Sequence, residues 1–274
     1  MHGGLHLPLK QEIPTQSYLK LKENGGYMSQ DSDRYRLEGV VSFGNAYSQV
    51  TGHEENKPGH GWVTLATSVV EKLNVLEVVT ADRVVAQVST EHPREGYVPK
   101  ITFLGSRFEN LRIAGHPVDV TLEPHLLWDD SEHLEAVDRD KRRASRIADL
   151  DQADHHQLDL PGDLPASYPE VDEDAEVDPA KSTRMRYSLV THCSFPTKTK
   201  YGYPGECKQH VIDIPHFGRI FLANVCIEHS QYKTADGIPK QTIVKLSMIK
   251  LKLGCLATGM ATVATTRTNG GSHP

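Results

Sequence analysis

Apolar and polar positions alternate with a period of two over most of this chain, the pattern of half-buried β-strands. Near the start, Leu5, Leu7 and Leu9 alternate with His6, Pro8 and Lys10, and the turn signal "ENGGY" follows. A proline inside such a run suits only an edge or an extended arm. The stretch "WVTLATSVVEKL" alternates Val63, Leu65, Thr67 and Val69, and "ADRVVAQVST" sets Val84, Ala86 and Val88 on one face. In "SRFENLRIAGHPVDVTL", Phe108, Leu111 and Ile113 precede a Gly115 turn, and Val118, Val120 and Leu122 alternate after it. That predicts a hairpin, with a bulge where the parity slips between Phe108 and Leu111. After residue 183 strand character returns in "MRYSLVTHCSF", "QHVIDIPHFGRIFLANVCIEH" and "TIVKLSMIKLKLG", and the tail "ATGMATVATTRTNGG" is rich in small, β-competent residues.

The pattern breaks once. Asp129 and Glu132 stand at capping-box spacing, and Leu134, Val137, Ala144 and Ile147 form a thin apolar stripe. This predicts an inserted helix ending near Leu150. The acidic, proline-rich "DLPGDLPASYPEVDEDAEVDPAK" that follows predicts irregular chain. The expected architecture is mainly β, an antiparallel β-sandwich of jelly-roll or Ig-like type with one inserted helix and extended termini. Its parts are an N-terminal arm (1–30), one sandwich domain (31–123 and 183–257), an acidic insert (124–182) and a C-terminal strand and tail (258–274).

Charge sharpens this division. Residues 124–182 hold 17 Asp or Glu against 6 Lys or Arg, a net −11, which leaves +5 for the rest of a chain whose total is −6. The insert can therefore dock on its own scaffold or a neighbour's, or stay solvated as charge-dense segments usually do. A net charge of −6 gives no general case for nucleic-acid binding. No apolar run is long enough to predict a membrane-spanning helix. The start "MHGGLHLPLKQEIP" has neither the basic nor the apolar region of a leader, so the protein is expected to be cytosolic or to have lost a leader.

Candidate chemistry is sparse. His125, His133, His155 and His156 lie among Asp129, Asp130, Asp151 and Asp154, ligand types that suit zinc, but without helical i, i+4 spacing. Cys193, Cys207 and His210 offer a second set of three, without a C-x2-C pair. The run "EVDEDAEVD" lacks the turn glycine of a calcium loop. No catalytic motif is found, so no catalytic, metal or cofactor residue is assigned and no cofactor is expected. The four cysteines, Cys193, Cys207, Cys226 and Cys255, are disulfide candidates in three connectivities, or else buried thiols. Cys193 and Cys207 close the shortest loop, across "SFPTKTKYGYPGE". Trp62, Trp128 and the tyrosines could equally line a carbohydrate platform or be scattered core and surface aromatics.

In order along the chain, "VLEVVTADRVVAQVST", "SRFENLRIAGHPVDV", "IPHFGRIFLANV" and "LSMIKLKLGC" resemble bacterial secreted β-sandwich proteins of the choice-of-anchor type. The resemblance spans residues 39–122 and 211–269. It implies an exported, surface-attached, non-enzymatic module at the cell surface or outside the cell, with the cytoplasm as the alternative compartment. It carries over no functional residue. The sequence-level expectation is thus a non-catalytic structural or surface protein, a homo-oligomer that adds terminal strands to an open sheet border. The assembly candidates are Leu5, Leu7, Leu9, Met260 and Val263. A cell-surface or glycan partner is compatible with it. The rivals are a metal-dependent hydrolase that uses the insert and a carbohydrate-binding module.

Overall fold

A computed structural model of the chain describes residues 2–7, 11–21, 25–37, 39–54, 60–93, 100–125, 182–196, 204–208, 210–230, 241–254 and 258–271. These form strands and turns, with no helix among the described residues. The predicted insert helix lies outside them. The first strands are β1 (His2–Leu7), β2 (Gln11–Ile13), β3 (Gly26–Ser32), β4 (Tyr35–Leu37), β5 (Val41–Phe43), β6 (Ala46–Glu54), β7 (His60–Val75) and β8 (Val79–Pro93). Then come β9 (Lys100–Thr102), β10 (Arg107–Glu109), β11 (Arg112–Ile113), β12 (His116–Pro117) and β13 (Asp119–Leu122). After the acidic segment follow β14 (Ser182–Ser188), β15 (Val190–Ser194), β16 (Glu206–Lys208), β17 (Val211–Ile214), β18 (Gly218–Ser230), β19 (Gln241–Gly254) and β20 (Thr258–Gly271).

All the pairings are antiparallel, as the alternating pattern predicts. One sheet runs β16-β17-β18-β19-β20-β1-β2, with β14 also on β18. The other is built on the long β7–β8 hairpin, with β6 and β5 along β7 and β9, β10 and β11 along β8. Strands β19 and β20 lie against β8, and β20 also against β7. One buried cluster joins both sheets: Val84, Ala86 and Val88 from β8 share it with Leu246 and Met248 of β19 and Val263 of β20. Burial of this kind contributes about 25 cal/mol per Å² of apolar surface and is the dominant stabilising term.

The core side of β7 opposes Val84 through Val70, so Val63, Leu65, Thr67 and Val69 point to the other side. On that outer side Val69 and Val85 are buried beside Tyr47, and Arg83 donates to the Tyr47 hydroxyl and lies 3.7 Å from Glu71. The β7–β8 turn forms without glycine: Leu76 and Glu77 both take positive φ, and the Asn74 side chain accepts the Glu77 amide at 2.9 Å. The predicted hairpin around Gly115 is present but short. Ala114 and Gly115 (φ 49° and 80°) close the two-residue β11–β12 ladder, the Val118 amide still donates to the Leu111 carbonyl, and Asp119–Leu122 departs to pair with β15.

The first sheet carries a transverse crease. Ala223 in β18 and Ala264 in β20 have φ of 48° and 49°, and both share one cross-strand row with Met248 of β19. In a regular strand, neighbouring residues face opposite sides. Here the pairs Leu222–Ala223, Met248–Ile249 and Val263–Ala264 all enter the core cluster. Both ladders skip this row and resume in the same register beyond it, so all three strands change parity together.

Candidate functional site: a thiol pair at the foot of a two-stranded stem

The acidic segment lies between β13 and β14, and the chain returns along β18 through β14 before it reaches β15. Across the segment, β13 pairs with β15, Asp119 opposite Ser194 and Val120 opposite Cys193. The Glu123 amide also donates to the Leu189 carbonyl at 2.7 Å. Residues on either side of a long excursion are thus held as a two-stranded stem, and β15 in turn adjoins β16 of the first sheet.

Two cysteines meet at that junction. Cys193 on β15 and Cys207 on β16 have their sulfurs 3.5 Å apart, with the Cys193 thiol donating to Cys207. Both are half-buried and pack against the core cluster, so the strands that carry them are fixed by hydrophobic contact. The contact splits their acidities. Donation from Cys193 holds Cys207 below the ordinary thiol range, against the opposing effect of burial. The same hydrogen bond, together with burial, pushes Cys193 up. The pair therefore loses one proton readily and the second reluctantly. Such an arrangement can present one thiolate next to a protonated partner, and it can close to a disulfide by losing two hydrogens.

The other disulfide candidates lie apart. Cys226 sits on β18, cross-strand from Lys245 and Arg186, and Cys255 lies outside the described residues. His210 does not complete a metal set with the thiols; among the described residues no three His, Cys, Asp or Glu side chains come together to hold an ion. His210 is buried beside β17, its carbonyl accepting the Leu222 amide, and burial drives its pKa down to about 4. His133, His155, His156 and the aspartates near them lie outside the described residues, as does Trp128. Trp62 and Tyr27 are both exposed, but the register of β3, β6 and β7 sets them on opposite sides of the sheet, so they do not share one platform.

The assembly candidates fall on the seam between the two chain ends. In β1, Gly4 pairs with Met260, Leu5 with Gly259 and Leu7 with Thr258 of β20; Leu9 lies outside the described residues. Val263 is fully buried in β20, cross-strand from Ile249. Both borders of β20 are occupied within the chain, by β19 and β1, and β2 forms the end of the sheet beyond β1. Alternation alone identified the strands at both ends, but it carries no information on which partner each end takes. The thiol pair was visible in the sequence as a short loop between cysteines, and the structure brings β15 and β16, the strands bearing them, side by side.

No helix of the described residues is long and apolar enough to cross a membrane. No curated protein and no solved structure matches the chain. One family model matches over residues 1–228, ending within β18, so β19 and β20 lie beyond the matched part. On that match, which covers well over half of the sequence, the chain belongs to the family described as a domain of unknown function, DUF8256.

Proposed function

We propose that the chain is a non-catalytic structural module, a β-sandwich of two packed antiparallel sheets, that self-associates by exchanging its N-terminal strand. The observation that carries this reading is the seam between β1 and β20, formed by the first and last strands of the chain. Its bonds are main-chain bonds, with glycines at positions 3 and 4 and at 259. A neighbouring copy can supply the same backbone donors and acceptors to the same border, which is how identical elements are exchanged between protomers at low cost. The linking segment supports the reading. Residues 14–21 are tied to the second sheet by hydroxyl contacts, Ser48 to the Ser17 carbonyl and Ser17 to the Gln30 carbonyl, both at 2.6 Å. The charge split, −11 on residues 124–182 against +5 on the rest, supplies a second, weaker contact between copies.

Cross-linking tests the reading. Gly4→Cys and Met260→Cys are placed on separate chains and mixed, and linked peptides are identified by mass spectrometry. Cross-strand pairs lie about 4.5–5.5 Å apart between Cα atoms, within reach of a disulfide. The expected result is a covalent bond between the two chains. If the bond forms only when both cysteines are on one chain, each copy keeps its own arm and strand exchange is refuted.

A further inference from the structure

We propose that Cys193 and Cys207 form a thiol–disulfide exchange site, with Cys207 as the attacking sulfur and Cys193 as the resolving one, acting on low-molecular-weight disulfides. This inference stands apart from the assembly reading. It rests on the 3.5 Å approach of the two sulfurs across two adjoining strands, on their half-exposure, and on the direction of the hydrogen bond between them.

Thiolates, not thiols, attack disulfides. Cys207 receives the hydrogen bond, so negative charge settles on its sulfur and the pKa of that thiol is lowered. Its thiolate attacks one sulfur of R–S–S–R, the S–S bond breaks, and R–S⁻ leaves and takes a proton from solvent. The product is a mixed disulfide on Cys207. Cys193 stays protonated through this step. It then gives its proton to solvent and attacks the Cys207 sulfur, expelling the second R–S⁻, which is protonated in turn. In sum, two cysteine thiols and one small disulfide become one protein disulfide and two small thiols, and the two electrons pass from the cysteines to the small disulfide. Closure from 3.5 Å to the bonding distance of about 2.05 Å asks for a shift of roughly 1.5 Å between β15 and β16. The closed form bolts the β13–β15 pair to β16 at the end of the first sheet.

The test uses the full chain in glutathione buffers of graded ratio, with acid quench, alkylation and peptide mapping; Cys226 on β18 serves as the internal reference thiol. The wild-type chain is expected to yield a peptide linked through Cys193 and Cys207 as oxidised glutathione rises. Cys193→Ser is expected to accumulate one glutathione on Cys207, because nothing resolves it. Cys207→Ser is expected to leave Cys193 unmodified over the same interval. Absence of the linked wild-type peptide at every ratio overturns the site. A glutathione on Cys193 in Cys207→Ser, gained as fast as Cys207 gains one in Cys193→Ser, overturns the assignment of roles.

Discussion

Replacing one buried alanine by glycine should cost almost nothing at the crease and a measurable amount elsewhere. Ala264 and Ala86 are both fully buried in strand interiors and both belong to the core cluster. They differ in backbone: Ala264 has φ 49°, whereas Ala86 is not among the residues of positive φ. At Ala86, the lost methyl costs about 0.8 kcal/mol. The extra freedom of glycine in the unfolded chain adds roughly 0.5–1 kcal/mol, so Ala86→Gly should destabilise by about 1.3–1.8 kcal/mol. Ala264→Gly carries the same two losses. It also relieves a left-handed conformation that costs an L-residue roughly 1–2 kcal/mol, so its net effect should lie near zero. The two variants should therefore separate by about 1.5 kcal/mol in urea unfolding, or ~3–6 °C in melting temperature. Ala223→Gly should behave like Ala264→Gly, since it occupies the same row with φ 48°. Equal losses at positions 86 and 264 would mean that β20 runs straight through the row and would refute the crease.

Three further outcomes follow from the geometry. Gly218 has φ 131°, and a side chain there would meet the Lys252 carbonyl on β19, so Gly218→Ala should lower stability by more than about 2 kcal/mol in the same assay. Thr266 shares a core row with Val225 and Leu246, and its buried hydroxyl has no partner among the described residues; Thr266→Val should raise the unfolding midpoint, by about 1 kcal/mol. His210 is held neutral, with its pKa depressed to about 4 from an ordinary 6.5, so the unfolded chain binds the extra proton between those values. Its contribution is intact above pH 6.5 and is lost as pH falls towards 4, by up to ~3 kcal/mol, and His210→Gln should flatten that part of a stability–pH profile.

Much of this fold is written in the alternation, and what is missing has identifiable causes. In β19 the polar residues Lys245 and Ser247 share one parity and Lys250 and Lys252 the other. Read as a regular strand, neither face is apolar; read with a switch between Met248 and Ile249, one face is apolar throughout. That switch was legible in the lysines, but its backbone cause, two alanines at positive φ on the flanking strands, was not, because alanine carries no turn signal. The turn at Leu76 and Glu77 was hidden for the same reason, since it lacks the usual glycine and depends on the Asn74 side chain. In β7 the more apolar side, with Val63, Leu65 and a buried Val69, lies away from the core cluster, while Thr64, Ala66 and Ser68 alternate with them. Their small side chains occupy the side that leads to Val70 and the core, so hydrophobicity alone pointed the wrong way on that strand. At the candidate site, the short loop between Cys193 and Cys207 was legible in the sequence, and the strand that pairs with β15 was not. Cys193 and Cys207 are only 14 residues apart and adjoin where β15 meets β16, while the β13–β15 pairing, which spans the whole acidic segment, is the contact that no local pattern encodes.

The central claim is that two chain ends, paired strand to strand, form a border that copies of this molecule share. Light scattering of the native chain across a wide range of protein concentration tests it most directly. The account predicts a mass of at least two chains that falls to one on dilution, and a chain that stays single at every concentration would contradict it.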